Sequence, residues 1–540
     1  MASLLLHLAF YLLKAALAGL LLCVVGWIIL FIVFYAKESI QGSNRPPIAG
    51  TIFHLLIHFN ALFDFQTAVA RRHKTFRLIA PSHSDIYTAD PANVEHVLKT
   101  NFSKYSKGQG NYTVMRDLFG DGIFAVDGEK WRHQRKLASF EFSARVLRDF
   151  SSVVFRSIAA KLAQKISDAA ATASVFDMQD LLMKATLDSI FKVGFGVELD
   201  TLSGSDELGA RFSEAFDDAN SIVFWRYVDV LWKVKRRLDV GIEARLKRNI
   251  KVIDDFVFQL IRRKRDQMNN GEEDRVNDQE HLQNLSFACD LDLVRSTAQM
   301  SKGDILSRFI LAKEKEPEST SDSYLRDVIL NFMMAGKDTT ANTLTWFFYL
   351  LCKHPSIQEK VAAEVEDATK AEGNKSDMAE FAMSLTDEAI DKMQYLHAAL
   401  TETLRLYPAV PVDGKSADED DVLPDGFEVK KGDGITYLTY AMGRMTYIWG
   451  EDAEDFRPER WIENGSFKPQ SPFKFVAFHA GPRSCLGKDF AYRQMKIMAA
   501  ATLRFFRFHL KDESKTDRYR PMFTLHIRDG LPLLAFYRQI

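Results

Sequence analysis

The fold of this chain is decided by residues 478–487, which read Phe-His-Ala-Gly-Pro-Arg-Ser-Cys-Leu-Gly. The stretch places one thiol, Cys485, two residues after the cation of Arg483 and between two glycines. Glycine permits a tight turn and the close approach of a flat group. Apolar residues then recur at helical spacing from 488 to 506, which predicts a helix that begins just after the cysteine. Free N–H groups and the dipole at such a helix start favour a thiolate.

The spacing Phe-x-x-Gly-x-Arg-x-Cys-x-Gly resembles the haem-thiolate signature of the cytochrome P-450 superfamily. The resemblance implies that Cys485 binds the iron of heme b and that Arg483 reaches a haem carboxylate. It also implies that Phe478, Gly481 and Gly487 belong to the haem-binding site. A thiolate ligand donates electron density to iron and favours O–O cleavage, which predicts oxygen activation rather than oxygen carriage. For an isolated cysteine, the alternative is a small buried apolar residue.

Residues 324–352 predict a long, mostly buried helix, because their apolar residues repeat at helical spacing. Within it, residues 335–340 read Ala-Gly-Lys-Asp-Thr-Thr, where a core helix would hold aliphatic side chains. This segment resembles the family's oxygen-activation motif, which implies that Asp338 and Thr339 relay protons to bound dioxygen. From these residues alone, a kinked helix with a satisfied polar pair is an equally good interpretation. Lys337 occupies the variable position, and we expect it to face solvent or a peripheral partner.

Glu402 and Arg405 share one face of the predicted helix 393–406, which by itself describes a common surface pair. The later stretch 456–461 resembles the second arginine motif of the family and contains Arg460. The resemblance implies that Glu402, Arg405 and Arg460 form a buried charged triad. We expect its role to be structural, because removing one partner would leave a buried charge uncompensated.

Trp131 and Arg135 lie four residues apart within the basic stretch 128–136. An indole N–H and a guanidinium both suit the binding of a carboxylate. The Trp-x-x-x-Arg pattern resembles the family's haem-propionate helix, which implies that both side chains face a propionate. Without the other motifs, an exposed basic helix would be the alternative.

Electrons must reach this chain from another protein, because it contains no Gly-x-Gly-x-x-Gly fingerprint for a flavin or nicotinamide. The resemblance implies an NADPH-cytochrome reductase as donor, with cytochrome b5 as a further candidate. We expect Arg132, Lys136 and Lys488 to contribute to a basic docking surface. The formal net charge of −2 gives no broad attraction to nucleic acid.

The N-terminal run 15–36 contains 22 residues without a charge, which predicts a membrane-spanning helix. At 1.5 Å per residue, such a helix spans about 33 Å. The run is longer than the apolar part of a cleaved signal peptide. We therefore expect residues 1–36 to form an anchor, 37–50 a proline-containing hinge and 51–540 the catalytic domain. The resemblance implies a single-pass protein of the endoplasmic reticulum membrane with a cytosolic catalytic domain.

Cysteine usage and local charge add two expectations. The cysteines have no paired spacing, which predicts a reducing compartment and no disulfide framework. The segment 262–281 is too polar for a core and predicts a solvated helix end followed by a loop. The four cysteines are Cys23, Cys289, Cys352 and Cys485.

The resemblance, which extends over nearly the whole chain, implies a mainly α-helical haem domain with a small β-rich subdomain and one N-terminal transmembrane helix. The stretches 441–445 and 449–450, with the insert 366–388, resemble the plant microsomal clan that hydroxylates long-chain fatty acids at or near the ω end. We expect a monooxygenase that uses O2 and NADPH-derived electrons on a lipophilic substrate. The alternatives are a terpenoid, sterol or phenolic substrate, a non-catalytic haem sensor or carrier, and an isomerase that needs no reductase.

Family position also indicates which segments line the substrate cavity. These are residues 103–123, 409–414 and 525–531, for which surface loops are an equally good interpretation. Three cations near the expected entrance are candidates to bind a substrate carboxylate. They are Lys104, Lys107 and Arg116.

Overall fold

A computed structural model gives the architecture of the chain. It is mainly helical with a small β-rich region, as the sequence predicts. It describes residues 2–40, 44–80, 83–139, 142, 150–204, 206–281, 304–313, 321–373, 375–514 and 518–539.

Helices of the described residues are numbered here in chain order. They are α1 (Ala2–Ile40), α2 (Ile52–Ile57), α3 (Leu62–Arg72), α4 (Pro91–Glu95), α5 (Gly108–Phe119), α6 (Gly128–Ser139), α7 (Ser152–Ala171), α8 (Met178–Phe195), α9 (Glu207–Trp225), α10 (Trp232–Leu238), α11 (Gly241–His281), α12 (Ile305–Lys313), α13 (Asp322–Lys353), α14 (Pro355–Thr369), α15 (Met378–Ser384), α16 (Asp387–Lys392), α17 (Gln394–Leu406), α18 (Thr439–Met442), α19 (Thr446–Trp449) and α20 (Lys488–Leu503).

The strands form one larger sheet and several short ones. In the larger sheet the order is β1-β2-β3-β9-β6-β4, with parallel pairing at β1–β2 and β3–β9. A smaller antiparallel sheet has the order β12-β15-β5. The strands are β1 (Ile48–Thr51), β2 (Thr75–Ile79), β3 (Ser84–Thr88), β4 (Tyr105–Ser106), β5 (Phe176–Asp177), β6 (Asp413–Ala417), β7 (Asp421–Val422), β8 (Glu428–Val429), β9 (Gly434–Tyr437), β10 (Ile462–Glu463), β11 (Ser466–Phe467), β12 (Phe506–Leu510), β13 (Tyr519–Arg520), β14 (His526–Ile527) and β15 (Pro532–Tyr537).

The long helix α13 passes through the middle of the protein and positions the site. The hydroxyl of Ser321 caps its N-terminus by accepting a hydrogen bond from the Tyr324 N–H, and Pro355 follows its last residues. Its first half packs in one apolar cluster and its second half in another. The polar segment 335–340 lies between these two clusters. The buried helix predicted for 324–352 is thus confirmed, and its polar break coincides with a gap between two cores.

Two boundaries differ from those predicted. The helix expected from 488 to 506 ends at Leu503, because the chain turns there into strand β12 and pairs with β15. The segment 262–281 is helical throughout as the end of α11, and not partly a loop. Part of it is also buried, since the Lys264 ammonium lies 2.7 Å from Asp304 and both side chains are only 3% exposed.

The N-terminal segment is helical from Ala2 to Ile40, so α1 extends into the stretch predicted as a hinge. The side chain of Glu38 at its end is buried and forms an ion pair with Arg77 of β2. Within the part of the chain that the structure describes, no helix meets the length and hydropathy needed to cross a membrane. The anchor at residues 1–36 therefore stays a prediction.

Candidate haem-binding and oxygen-activation site

A cavity of about 450 Å³ separates the cysteine loop from helix α13. The loop contributes Phe478, Cys485 and Gly487 to one wall, while Gly336 and Thr339 contribute to the wall on α13. Two segments that are far apart in sequence, and that were both predicted to belong to the site, therefore face one internal space. That space is large enough for a flat cofactor or a substrate in the usual size range of ligand pockets.

The cysteine loop is folded by its own backbone. The Cys485 N–H donates a hydrogen bond to the Phe478 carbonyl at 2.8 Å, which closes the loop. His479 has a φ of +57°, a conformation that non-glycine residues rarely adopt. Its ring is held 3.1 Å from the Asp413 carboxylate. Helix α20 begins at Lys488, so the predicted place of the cysteine before a helix start is confirmed.

Gly481 forms part of the tight turn of the cysteine loop. It has a φ of +66°, and a Cβ there would meet the Leu98 carbonyl oxygen at 2.0 Å. Among the described residues it does not line the cavity. Glycine is required at 481 because the turn packs against the chain near Leu98. Gly487, in contrast to Gly481, lines the cavity.

Cys485 is open to this internal cavity. Burial raises the pKa of its thiol, while the Gly487 N–H and the cations Arg135 and Lys488 act in the opposite direction. The glycine-bounded loop and the helix start identify only groups that favour a thiolate. In the folded protein desolvation outweighs them, because it penalises the charged form. The second described thiol, Cys352, is also free and lies in α13; Cys289 lies outside the described residues.

The structure brings Trp131, Arg135 and Arg483 together at one end of the cavity. The Arg483 guanidinium lies 4.5 Å from the centre of the Trp131 ring. It also forms an ion pair with Asp127 at 2.5 Å. Arg135 donates a hydrogen bond to the Ser484 carbonyl at 2.7 Å, next to the cysteine. Two guanidinium groups and an indole thus surround the same corner.

Lys415 of β6 joins this corner and was not predicted from sequence. It is 2% exposed, and among the described residues its ammonium group has no hydrogen-bond partner. Burial lowers the pKa of Lys415 to about 6, and the neighbouring cations Lys107 and Arg483 add to that effect. Arg483 Nε is a second buried donor without a partner in the described part of the chain. Two buried donor atoms that lack a partner within the described ranges, Lys415 Nζ and Arg483 Nε, fit a dianionic group such as the two carboxylates of a haem.

Replacing Lys415 with methionine tests this assignment. We expect haem to be retained roughly 10- to 100-fold less tightly, because one hydrogen bond to a charged group contributes about 1.5–3 kcal/mol. The rate of haem transfer from the purified protein to a haem acceptor measures the change. Lys415→Arg should restore retention, and unchanged transfer in Lys415→Met would refute the role.

Thr339 faces the cavity, as its proposed role requires. Its hydroxyl donates a hydrogen bond to the Ala335 carbonyl at 2.5 Å, one turn earlier in α13. The neighbouring Gly336 also lines the cavity, and a Cβ there would lie 2.7 Å from Ile190 of α8. The glycine therefore lets α8 and α13 pack closely beside the cavity wall.

Asp338 does not line the cavity among the described residues; its side chain is fully buried on another side of α13. It lies 3.3 Å from the ammonium of Lys337, which is also fully buried and 2.6 Å from Asp217 of α9. The expectation that Lys337 faces solvent is wrong. The helical pattern could not reveal its partner, because Asp217 lies 120 residues earlier in the chain.

Glu402, Arg405 and Arg460 are in contact. The Arg405 Nε and Nη2 atoms lie 2.7 and 2.8 Å from the two Glu402 oxygens, and neither side chain is exposed. Arg460 Nε donates to Glu402 at 3.2 Å. Trp461 adds an indole N–H at 2.8 Å, which sequence reasoning did not assign.

The cavity walls agree only in part with the expected segments. Side chains from 107–123 and 409–414 line the cavity, but 525–531 does not among the described residues, and Phe523 and Thr524 take its place. The stretch 103–123 is also largely helix α5 rather than a loop.

The three cations proposed to bind a substrate carboxylate have other partners. Lys104 lies 3.1 Å from Asp421, and Lys107 lies 2.8 Å from Asp413. Arg116 lies over the Tyr112 ring, 5.8 Å from its centre. Of these three, Lys107 alone lines the described cavity. Although burial alone would raise it, Lys107 and His479 hold the pKa of Asp413 well below its usual range, so Asp413 already neutralises the lysine.

The cavity, with its cysteine loop and its buried cations, fits an anionic metal cofactor held through a thiolate. The family described as cytochrome P450 matches residues 41–532 of the chain. Cytochrome P450 704C1 of Pinus taeda is 51% identical over 93% of this chain and 94% of its own length. Cytochrome P450 704B1 of Arabidopsis thaliana is 43% identical over 95% of this chain and 98% of its own length. Cytochrome P450 86B1 of the same plant is 38% identical over 95% of this chain and 89% of its own length. The chain belongs to the cytochrome P450 family, whose members are haem-containing monooxygenases.

Proposed function

We propose that this monooxygenase hydroxylates long-chain fatty acids at or near the ω end. The observation that carries the proposal is the cavity in which the Cys485 loop faces Thr339 and whose lining is mainly apolar. This lining suits an alkyl chain, because burying a methylene group stabilises binding by about 0.8 kcal/mol. The apolar part of the lining includes Ile52, Leu55, Leu62, Leu78, Phe224 and Val228.

In this proposal Cys485 binds the iron of heme b, and Trp131, Arg135, Lys415 and Arg483 bind its carboxylates. The bound haem supplies the iron centre at which dioxygen is reduced. The residues of the chain do the rest. Phe478 and Gly487 enclose the cysteine side of the cavity, and Thr339 holds a hydroxyl on the opposite side.

A terminal methyl C–H bond is stronger than a methylene one, so a terminal hydroxylase must present only the chain end. Phe523 lines the cavity, and the centre of its ring lies 5.4 Å from that of Phe224 and 5.6 Å from that of Phe119. Aromatic rings in such edge-to-face contact fix each other's orientation. We infer that this cluster excludes methylene groups from the reacting position.

Replacing Phe523 with alanine should raise the proportion of in-chain hydroxylated product several-fold, because the wall opens beside the reacting position. Separation of positional isomers by gas chromatography and mass spectrometry measures the shift. Phe536→Ala is the matched control, since that ring is 50% exposed on β15. An unchanged isomer ratio in Phe523→Ala would refute the proposed role of this residue in restricting the reacting position.

Spectral titration tests the substrate class directly. We expect long-chain fatty acids to change the haem absorption spectrum at low micromolar concentration, and terpenoids, sterols and phenolics to do so only weakly. The reverse order would favour the alternative substrate class. A spectral response to a fatty acid hydroperoxide, followed by conversion without any reductase, would favour an isomerase.

The proposed electron donor is an NADPH-cytochrome reductase, with cytochrome b5 as a second candidate. The exposed residues Arg132, Lys136 and Lys488 support this, because they lie on α6 and α20, whose neighbouring side chains reach the cysteine side of the cavity. Arg132 already forms an ion pair with Glu129, which leaves Lys136 and Lys488 as the stronger candidates.

We further propose that residues 1–36 anchor the protein in the endoplasmic reticulum membrane, with the catalytic domain 51–540 in the cytosol. The uncharged run 15–36 supports this proposal. Membrane flotation of the full chain and of a chain lacking residues 1–36 separates the two outcomes. Equal flotation of both would refute an anchor confined to this segment.

A further inference from the structure

The buried ion pairs beside Asp338 connect two helices. Lys337 Nζ bridges the Asp338 carboxylate on α13, at 3.3 Å, and the Asp217 carboxylate on α9, at 2.6 Å. The Asp217 side chain is 31% exposed, whereas the other two are fully buried. Transferring a charged group from water to such a buried position costs free energy unless the charge is paired. Lys337 therefore has a function that a solvent-facing residue at the variable position would not have.

The second carboxylate oxygen of Asp338 is connected to the cavity by the hydroxyl group of Thr524. Asp338 Oδ2 accepts hydrogen bonds from Asn220 at 3.2 Å and from Thr524 at 3.4 Å. His526 Nε2 lies 3.9 Å from the same oxygen. Thr524 lines the cavity, as Thr339 does, whereas Asp338 itself does not in the described part of the chain. Among the described residues, Thr524 is the cavity-lining side chain that donates a hydrogen bond to Asp338.

The charges fix the direction of that hydrogen bond. Burial would raise the pKa of Asp338, but the neighbouring Lys337 ammonium and His526 hold it below its usual range. An ionised carboxylate can only accept hydrogen bonds. Thr524 must then donate its proton to Asp338, which leaves the lone pairs of its oxygen available on the cavity side.

We propose that Lys337, held by Asp217, is a positioning residue that fixes the Asp338 carboxylate against Thr524 and thereby makes Thr524 a hydrogen-bond acceptor for a water molecule in the cavity. This inference rests on the proposed function, the hydroxylation of a fatty acid by this monooxygenase. It assigns to Thr524 a polar role beside Thr339 and explains why a lysine is buried at a position where solvent exposure was expected. Loss of the ordered water should divert electrons into hydrogen peroxide rather than product.

The test compares Lys337→Met, Thr524→Val and the double variant in the full-length holoenzyme with reductase and NADPH. We expect each single change to lower the product formed per NADPH about tenfold, the effect of one lost hydrogen bond, with a matching rise in peroxide. The double variant should be no worse than either single variant, since both break the same chain of contacts. Lys337→Arg should restore most of the coupling.

A surface pair provides the control. Lys184 and Asp180 of α8 lie 2.7 Å apart and are both exposed, so Lys184→Met should leave the product per NADPH unchanged. If Lys337→Met does not fold, Thr524→Val alone must still lower coupling tenfold. Full coupling in either single variant, or multiplied losses in the double variant, would overturn the proposal.

A second readout does not depend on turnover. The unfolding free energies of Lys337→Met, Asp217→Asn and their combination should be non-additive, because the two side chains share one ion pair. Non-additivity together with no product from the wild-type enzyme would count against the proposed function alone. Additive effects would count against the positioning role, whatever the wild-type enzyme produces.

Discussion

Replacement of Cys485 by serine should abolish NADPH-dependent product formation. The reduced, carbon monoxide-bound protein should also lose the absorption band of a thiolate-bound haem. A hydroxyl cannot supply the electron density that a thiolate gives to iron. The loss should be complete within detection, because no other described cysteine lines the cavity.

Cys352→Ser is the matched control for this experiment. Cys352 is half-buried in α13, does not line the described cavity, and has a thiol whose pKa burial raises to about 12. We expect its variant to retain both spectrum and turnover. A thiolate spectrum that survived in Cys485→Ser but disappeared in Cys352→Ser would reverse the assignment.

The second large effect is expected at the charged triad. Glu402→Ala leaves the Arg405 guanidinium buried with no carboxylate, although it still donates to the carbonyls of Gly443 and Ala453. Breaking a buried pair in this way costs about 3–5 kcal/mol. We therefore expect loss of folded, haem-containing protein rather than a slower enzyme, measured as haem per polypeptide and as the midpoint of thermal unfolding.

Arg460→Ala offers a graded comparison. Arg460 makes only one contact with Glu402, at 3.2 Å, and it also pairs with Asp452 at the partly exposed edge of the triad. Its loss should destabilise the protein less than the loss of Glu402 or Arg405. A normal haem content and unfolding midpoint in Glu402→Ala would contradict the structural role.

Sequence patterns predicted the parts of the site that depend on local spacing. The helix around Asp338, the start of α20 after Cys485 and the pairing of Glu402 with Arg405 all follow from residues that are close in sequence. Arg460 was added by a second motif, and the two motifs meet because α17 packs on the segment that contains it.

The remaining features depend on contacts between distant elements. Lys337 is buried because α9 places Asp217 over it, and Lys415 is buried because β6 lies beside the cysteine loop. Gly481 is needed for packing against Leu98. The sequence features that could have indicated these buried cations were a lysine inside the otherwise apolar helix α13 and a lysine in β6, the strand after α17. Without its partner, such a residue is equally well interpreted as solvent-exposed.

Product analysis tests the proposal that this cytochrome P450 hydroxylates fatty acids at or near the ω end. The full-length protein would be incubated with a reductase, NADPH and a panel of saturated and unsaturated long-chain fatty acids. We expect terminally hydroxylated acids whose formation requires NADPH and is lost in Cys485→Ser. Intact haem with reductase-supported oxygen consumption but no oxidised fatty acid would contradict the proposal.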